Sequence, residues 1–167
     1  MTTKLEKAKN LEKIAQAVGF ATWQIQELEG ASAQLYVLLV EAKKGMGHEA
    51  GQELVYSAQS KTFGATVNKL IRSKCLTSEV EEQFKKLLAE RNWLVHNSRA
   101  SSRNAVHDNQ ICEDLLDRIR SIANEALTLL KICSSIAISF ASDNGITNKN
   151  IEELTNQQLK KYSNNQN

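Results

Sequence analysis

The sequence contains no proline and few aromatic residues. Proline costs about 3 kcal/mol inside a helix, so its complete absence favours long helices. Aromatic residues make up only 5% of the 167 positions, and we expect Trp23 and Trp93 to serve core or dimer packing rather than base stacking. The remaining composition, 41% hydrophobic and 24% charged, is that of a soluble globular protein of one domain.

Long hydrophobic runs and paired cysteine motifs are also lacking. The longest strongly apolar run, residues 35–40, is far shorter than the roughly 20 residues of a membrane helix. Residues 1–19 have no continuous apolar segment of the kind found in secretory signals. The three cysteines, at positions 75, 112 and 133, match no zinc-ligand spacing. We therefore expect a cytoplasmic protein with reduced thiols, no membrane span, no metal and no other cofactor.

The chain as a whole lacks a strong excess of either charge. Its 21 basic and 19 acidic residues give a formal charge of +2, which by itself argues against a nucleic-acid partner. The excess is local, however, because residues 61–120 carry 11 basic and 8 acidic side chains. All six arginines lie between positions 72 and 120.

Apolar residues recur every three or four positions along the chain, and no useful stretch alternates as a strand does. This pattern predicts an all-α fold, an up-and-down bundle of about five helices. We assign residues 1–145 to one helical domain and residues 146–167 to a short C-terminal helix and a disordered tail.

Several helix boundaries follow from local sequence. Gly19 predicts a break in the first apolar stripe, and the glycine-rich residues 44–51 predict a turn between helices. Ser60 or Thr62 would cap a helix, and another begins near residue 78 with acidic residues in its first turn. The small polar residues 98–104 predict a loop or a frayed turn. The last long helix follows this loop and ends at residues 143–145.

Residues 91–107 contain three arginines and two histidines but no aspartate or glutamate. Such a window attracts phosphate groups whatever the total charge of the chain. On a helix, Asn92 and His96 share a face, and Arg99 lies nearly in line with them. Arg91 is one residue round the helix, from which its long side chain can reach the same face. We expect Arg99 and Arg103 to form part of an RNA-facing surface.

This combination suits RNA cleavage without a metal. The reaction needs a base for the 2′-hydroxyl proton, an acid for the leaving 5′-oxygen and a cation for the charge on phosphorus. His96 can serve as acid or base near neutral pH. Arg91 carries a permanently charged fork that matches phosphate oxygens, and Asn92 can orient the imidazole or donate to phosphate.

The string RNWLVH, residues 91–96, resembles the R-x4-6-H motif of HEPN domains (higher eukaryotes and prokaryotes nucleotide-binding), including the polar residue after the arginine. The resemblance implies a helical bundle and a metal-independent endoribonuclease, typical of toxins and defence effectors, that leaves a 2′,3′-cyclic phosphate. It implies that Arg91 binds phosphate and stabilises the transition state, that His96 acts as acid or base, and that Asn92 positions them.

The resemblance also implies a homodimer with a shared cleft. One motif supplies one histidine, whereas acid and base act from opposite sides of phosphorus, so a two-fold axis beside His96 would complete the site. HEPN toxins paired with a nucleotidyltransferase antitoxin often carry a modified tyrosine two residues after the histidine. Here that position is Ser98, so this antitoxin mechanism is not expected, while another antitoxin or regulatory protein stays open as a partner.

Two alternatives remain at this point. The chain is a non-catalytic HEPN-like bundle that binds RNA or a protein partner, or it is a structural bundle with no affinity for RNA. The other two histidines, His48 and His107, are expected to be surface or structural residues.

Overall fold

The computed structural model describes residues 3–164, without the side chains of residues 148, 151, 158 and 161–164. Over this range the chain is all-helical, as the periodicity predicts, and contains no strand. The elements are α1 (Lys4–Tyr36), a π-helical segment (Val37–Glu41), α2 (His48–Gln59), α3 (Phe63–Arg72), α4 (Ser78–Ala105), α5 (Asn109–Asp143) and α6 (Asn148–Asn164).

Helix α1 runs straight through Gly19, so the predicted break there is wrong. A Cβ at Gly19 would meet no other atom within 4 Å, and nothing in the structure requires glycine at this position. Glycine costs about 1 kcal/mol relative to alanine in a helix. The apolar side chains on both sides of it, Ile14, Ala21 and Ile25, are buried on one stripe. Their packing outweighs the weak local preference for a break.

The predicted loop over residues 98–104 is also wrong, because α4 continues through it. Its serines do not compete with the helix: the hydroxyl of Ser98 donates to the carbonyl of Leu94, and that of Ser101 donates to the carbonyl of Asn97. Ser98 and Ser102 are buried against the core. A segment that looks polar and small is therefore the close-packed end of an amphipathic helix.

Other predicted boundaries are confirmed. The glycine-rich turn contains Gly45 and Gly47 at φ angles of 82° and 81°, in the left-handed region that favours glycine. It is shorter than expected, since α2 already begins at His48. Thr62 caps α3 by accepting from the amide of Ala65, and α4 begins at residue 78, after a threonine cap.

The chain divides into two compact units, one up to Cys133 and one from Ser134 onward. The first unit holds the core, whose most deeply buried members include Leu28, Leu70, Phe84 and Ile119, each fully enclosed. The second unit contains the last turns of α5 together with α6, and none of its described side chains is buried. The predicted domain extent of residues 1–145 stays a prediction.

The short C-terminal helix expected within residues 146–167 is present as α6, which continues to Asn164. The disordered tail is expected from residue 163; residues 163 and 164 are helical instead, and the rest of that predicted tail, residues 165–167, lies outside the described part of the chain.

Among the described helices, α5 is long and apolar enough to span a membrane by length and composition alone. This is weak evidence for a membrane span, because the core helix of a soluble protein passes the same test. The buried residues of α5 run from Cys112 to Cys133 and belong to the core of the first unit.

Candidate functional site

Four of the five predicted site residues lie on one exposed face of α4. They are Asn92, His96, Arg99 and Arg103. Their spacings of four, three and four residues keep them on a narrow line along a helix of 3.6 residues per turn. We call this line the α4 stripe; it covers eleven residue steps, or about 16 Å of helix. The continuation of α4 beyond residue 98 is what adds Arg103 to it.

The opposite face of α4 anchors the stripe. Phe84 and Leu87 are fully buried, and Leu94 is 2% exposed between the positions of Asn92 and His96. Because these side chains pack into the core, α4 cannot rotate without losing buried apolar contacts. The polar groups of the stripe are therefore presented to solvent in a fixed order.

Arg91 reaches toward α1 rather than lying within the stripe. Its Nε donates to Oε1 of Glu29 at 3.2 Å, and its Nη1 donates to Oδ1 of Asn92 at 3.4 Å. The two partners of the ion pair are both about one-third exposed, at 31% and 29%. The guanidinium thus touches the edge of the stripe through the Asn92 amide while its charge faces a carboxylate.

Sequence reasoning did not find Glu29. It precedes Arg91 by 62 positions, and only the packing of α1 against α4 brings the two together. The available signal was its place directly after the buried Leu28, which puts it at the edge of the packed face of α1. An acidic residue at such an edge is positioned to pair with a cation on the neighbouring helix, but the sequence does not say which cation.

Trp93 packs within the chain. The guanidinium of Arg118, on α5, lies over its ring at 3.5 Å from the centroid. Arg118 also donates two hydrogen bonds, each 3.0 Å long, to the carboxylate of Glu90. This arrangement ties α4 to α5 beside Arg91, and it pairs the acidic residue that directly precedes Arg91 with a cation.

The other residues singled out from the sequence lie away from the α4 stripe. His48 begins α2 and is exposed, while His107 lies in the turn between α4 and α5. Trp23, expected in core or dimer packing, is 70% exposed on α1 and so lies outside the core, while a place in a dimer interface stays a prediction. Ser98, two residues after His96, is buried, and its hydroxyl donates to the carbonyl of Leu94 on the same helix.

The buried cysteines are poor nucleophiles. Burial raises the pKa of Cys133 to about 11 and also raises the pKa of Cys112. Both thiols therefore stay protonated at neutral pH. Within residues 3–164, no three histidine, cysteine, aspartate or glutamate side chains come together in a group able to hold a metal ion.

Comparison with protein-family models, with curated proteins and with solved structures finds no match for this chain. The motif, the α4 stripe and the contacts of Arg91 are therefore the features from which its function can be inferred.

Proposed function

We propose that this protein is a metal-independent endoribonuclease of the HEPN type, a cytoplasmic toxin or defence effector that acts as a homodimer. The observation that carries the proposal is the α4 stripe: an exposed imidazole in line with an amide and two guanidinium groups. Arg91 joins this line through its contact with Asn92. No acidic residue occurs at positions 91–107, and the carboxylate that reaches this group, Glu29, is paired with Arg91.

The RNA backbone would lie along the stripe. Arg99 and Arg103, four residues and about 6 Å apart along α4, would hold phosphates next to the scissile one. His96 would take the proton of the 2′-hydroxyl, whose oxygen attacks phosphorus and forms the 2′,3′-cyclic phosphate. The 5′-oxygen then leaves with a proton from the general acid.

A second protomer supplies that acid in our proposal. The stripe carries one imidazole, because His48 stands on α2 and His107 lies beyond the end of α4. A two-fold axis beside the stripe would place a second His96 opposite the first, one as base and the other as acid. The two Arg91 side chains would then face one phosphate from two directions.

To bind the scissile phosphate, Arg91 must first release its hydrogen bond to Glu29. In the free chain its Nε bonds to Glu29, and a phosphate would compete with that carboxylate. Arginine binds phosphate through two parallel hydrogen bonds, which a partly exposed ion pair does not outweigh. The ion pair therefore holds the side chain near the stripe until RNA arrives.

The test is cleavage of RNA in the presence of EDTA by the wild type and by His96→Ala and Arg91→Ala. We expect cleavage by the wild type, products ending in a 2′,3′-cyclic phosphate, and a loss of at least about a hundredfold in each variant. His48→Ala and Arg72→Ala remove the same residue types from α2 and α3 and should cleave normally. Cleavage that needs a divalent metal, or that survives both site substitutions, would refute the proposal.

The ion pair of Arg91 with Glu29 favours a second candidate function, RNA binding without cleavage. In that case the stripe still binds phosphates, and Arg91 is a structural link between α1 and α4. The same assay separates the two: binding that weakens with salt and shows no turnover supports the binding module.

A further inference from the structure

A cavity of about 260 Å³ lies beside Glu29, among residues of α1, α2 and α3. Its polar lining consists of Gln26, Glu29, Gln59, Lys61 and Thr66. Its apolar lining includes Ala33, Ala58 and Phe63, all of which are buried. Five of the lining residues are polar, so the cavity would hold a small ligand mainly through hydrogen bonds, beside apolar groups that are buried.

The lining suits a nucleobase. A base is flat, with apolar faces and an edge of hydrogen-bond donors and acceptors. The carboxylate of Glu29 accepts only, the ammonium of Lys61 donates only, and the amide of Gln59 does both. Single-stranded RNA is recognised in this way, through unstacked bases that enter pockets and bond along their edges.

Glu29 connects the cavity to the proposed phosphate site. Glu29 lines the cavity, and its Oε1 accepts from Nε of Arg91 at 3.2 Å. A phosphate on Arg91 and a base in the cavity would therefore lie on either side of the same carboxylate. We propose that the cavity binds the base of a nucleotide whose phosphate is held by Arg91, and so makes cleavage base-selective. The role of the phosphate in this inference rests on the proposed function, whereas the capacity of the cavity to bind a base does not.

A larger side chain in place of Gly30 would fill the cavity without disturbing helix α1. It lines the cavity, and a Cβ there would meet only Nε2 of Gln59, at an ordinary contact distance of 3.7 Å. Gly19, on the same helix, is a matched control because a Cβ there meets nothing within 4 Å. Gly30→Leu and Gly19→Leu raise the helix propensity equally. Only Gly30→Leu adds a side chain to the lining of the cavity.

The experiment titrates the full chain with the four nucleoside 5′-monophosphates and with ribose 5-phosphate, which has no base, followed by NMR. We expect Gly30→Leu to weaken the best-bound nucleotide about tenfold or more, with Gly19→Leu unchanged. Ribose 5-phosphate should bind Gly30→Leu as it binds the wild type, and Arg91→Ala should weaken both kinds of ligand. Equal nucleotide affinities in Gly30→Leu and Gly19→Leu would overturn the inference, provided that thermal unfolding shows both variants folded.

Cleavage assays on the same variants separate this inference from the proposed function. If Gly30→Leu loses nucleotide binding but the wild type cuts no RNA in EDTA, the base site stands and the ribonuclease proposal fails. If the wild type cuts RNA and Gly30→Leu cuts it with the same rate and base preference, the ribonuclease stands and the base site is overturned.

Discussion

At the scale of single residues, the pair of Glu29 and Arg91 decides how the candidate site behaves before RNA binds. The carboxylate neutralises the arginine at the edge of the α4 stripe, so the free protein presents mainly Arg99 and Arg103 as positive groups. A phosphate that binds Arg91 must displace this carboxylate. The pair therefore lowers the number of cations available at first contact.

Replacing this carboxylate should strengthen the dependence of RNA binding on salt. In the wild type, the carboxylate that Arg91 leaves takes up a cation when phosphate binds; in Glu29→Gln there is no such carboxylate, so one more ion is released on balance and the slope of log K against log salt should steepen by about one. The measurement is RNA affinity at several salt concentrations, made in a His96→Ala background to prevent cleavage. Glu27→Gln, an exposed carboxylate on the same helix, is the control, and an identical slope in both variants would contradict the prediction.

Cys133 should make stability depend on pH. Burial raises the pKa of its thiol from 9.0 to about 11, so the folded chain keeps a proton that the unfolded chain releases. The contribution to the free energy of unfolding is complete below pH 9 and is lost as the pH rises through 11, by about 2–3 kcal/mol. Urea unfolding at pH 8 and pH 11 should show this loss in the wild type but not in Cys133→Ala. Cys75→Ala, which removes an exposed thiol, should behave as the wild type.

At the scale of helices, the sequence predicts most elements but wrongly predicts two interruptions, one within α1 and one within α4. The spacing of Asn92 and His96 predicts their shared face because helical geometry is local. Gly19 and the serines after position 97 mislead, since local preference there is outweighed by packing with distant residues. The contact between Glu29 and Arg91 is unpredictable for the same reason: it depends on which helices become neighbours.

Two glycine substitutions test these boundaries. Gly19→Ala should stabilise the protein by about 1 kcal/mol, because Gly19 is an exposed interior residue of one continuous helix. Gly45→Ala should destabilise it by about the same amount, since the φ angle of 82° at Gly45 is strained for alanine. Urea denaturation measures both. A Gly19→Ala protein that is less stable than the wild type would indicate a helix break at this position.

At the scale of the whole molecule, the proposed reaction requires more than one chain. Acid and base both come from His96 in our proposal, so a dimer with only one intact copy lacks one of the two proton-transfer groups. Buried residues concentrate before position 134, and exposed apolar side chains, Phe20 and Trp23 among them, remain on α1. The sequence predicts the bundle but not which of its faces pairs with a partner.

Subunit mixing tests the shared site. When wild type and His96→Ala are allowed to exchange protomers in equal amounts, only dimers with two wild-type chains should cleave RNA, which leaves about a quarter of the wild-type activity. A site complete within one chain would retain half. The measurement is the cleavage rate as a function of the wild-type fraction, with His48→Ala as the mixing partner in the control series.

The stacking of Arg118 over Trp93 has a practical consequence. An indole under a guanidinium at 3.5 Å senses changes in that contact through its emission, and this indole follows Asn92 directly in the chain. The protein has only two tryptophans, so Trp23→Phe would leave Trp93 as the sole source of tryptophan emission. Helix α4 thus carries a fluorescent side chain next to the α4 stripe, with which the proposed binding of RNA can be tested in real time without an added dye.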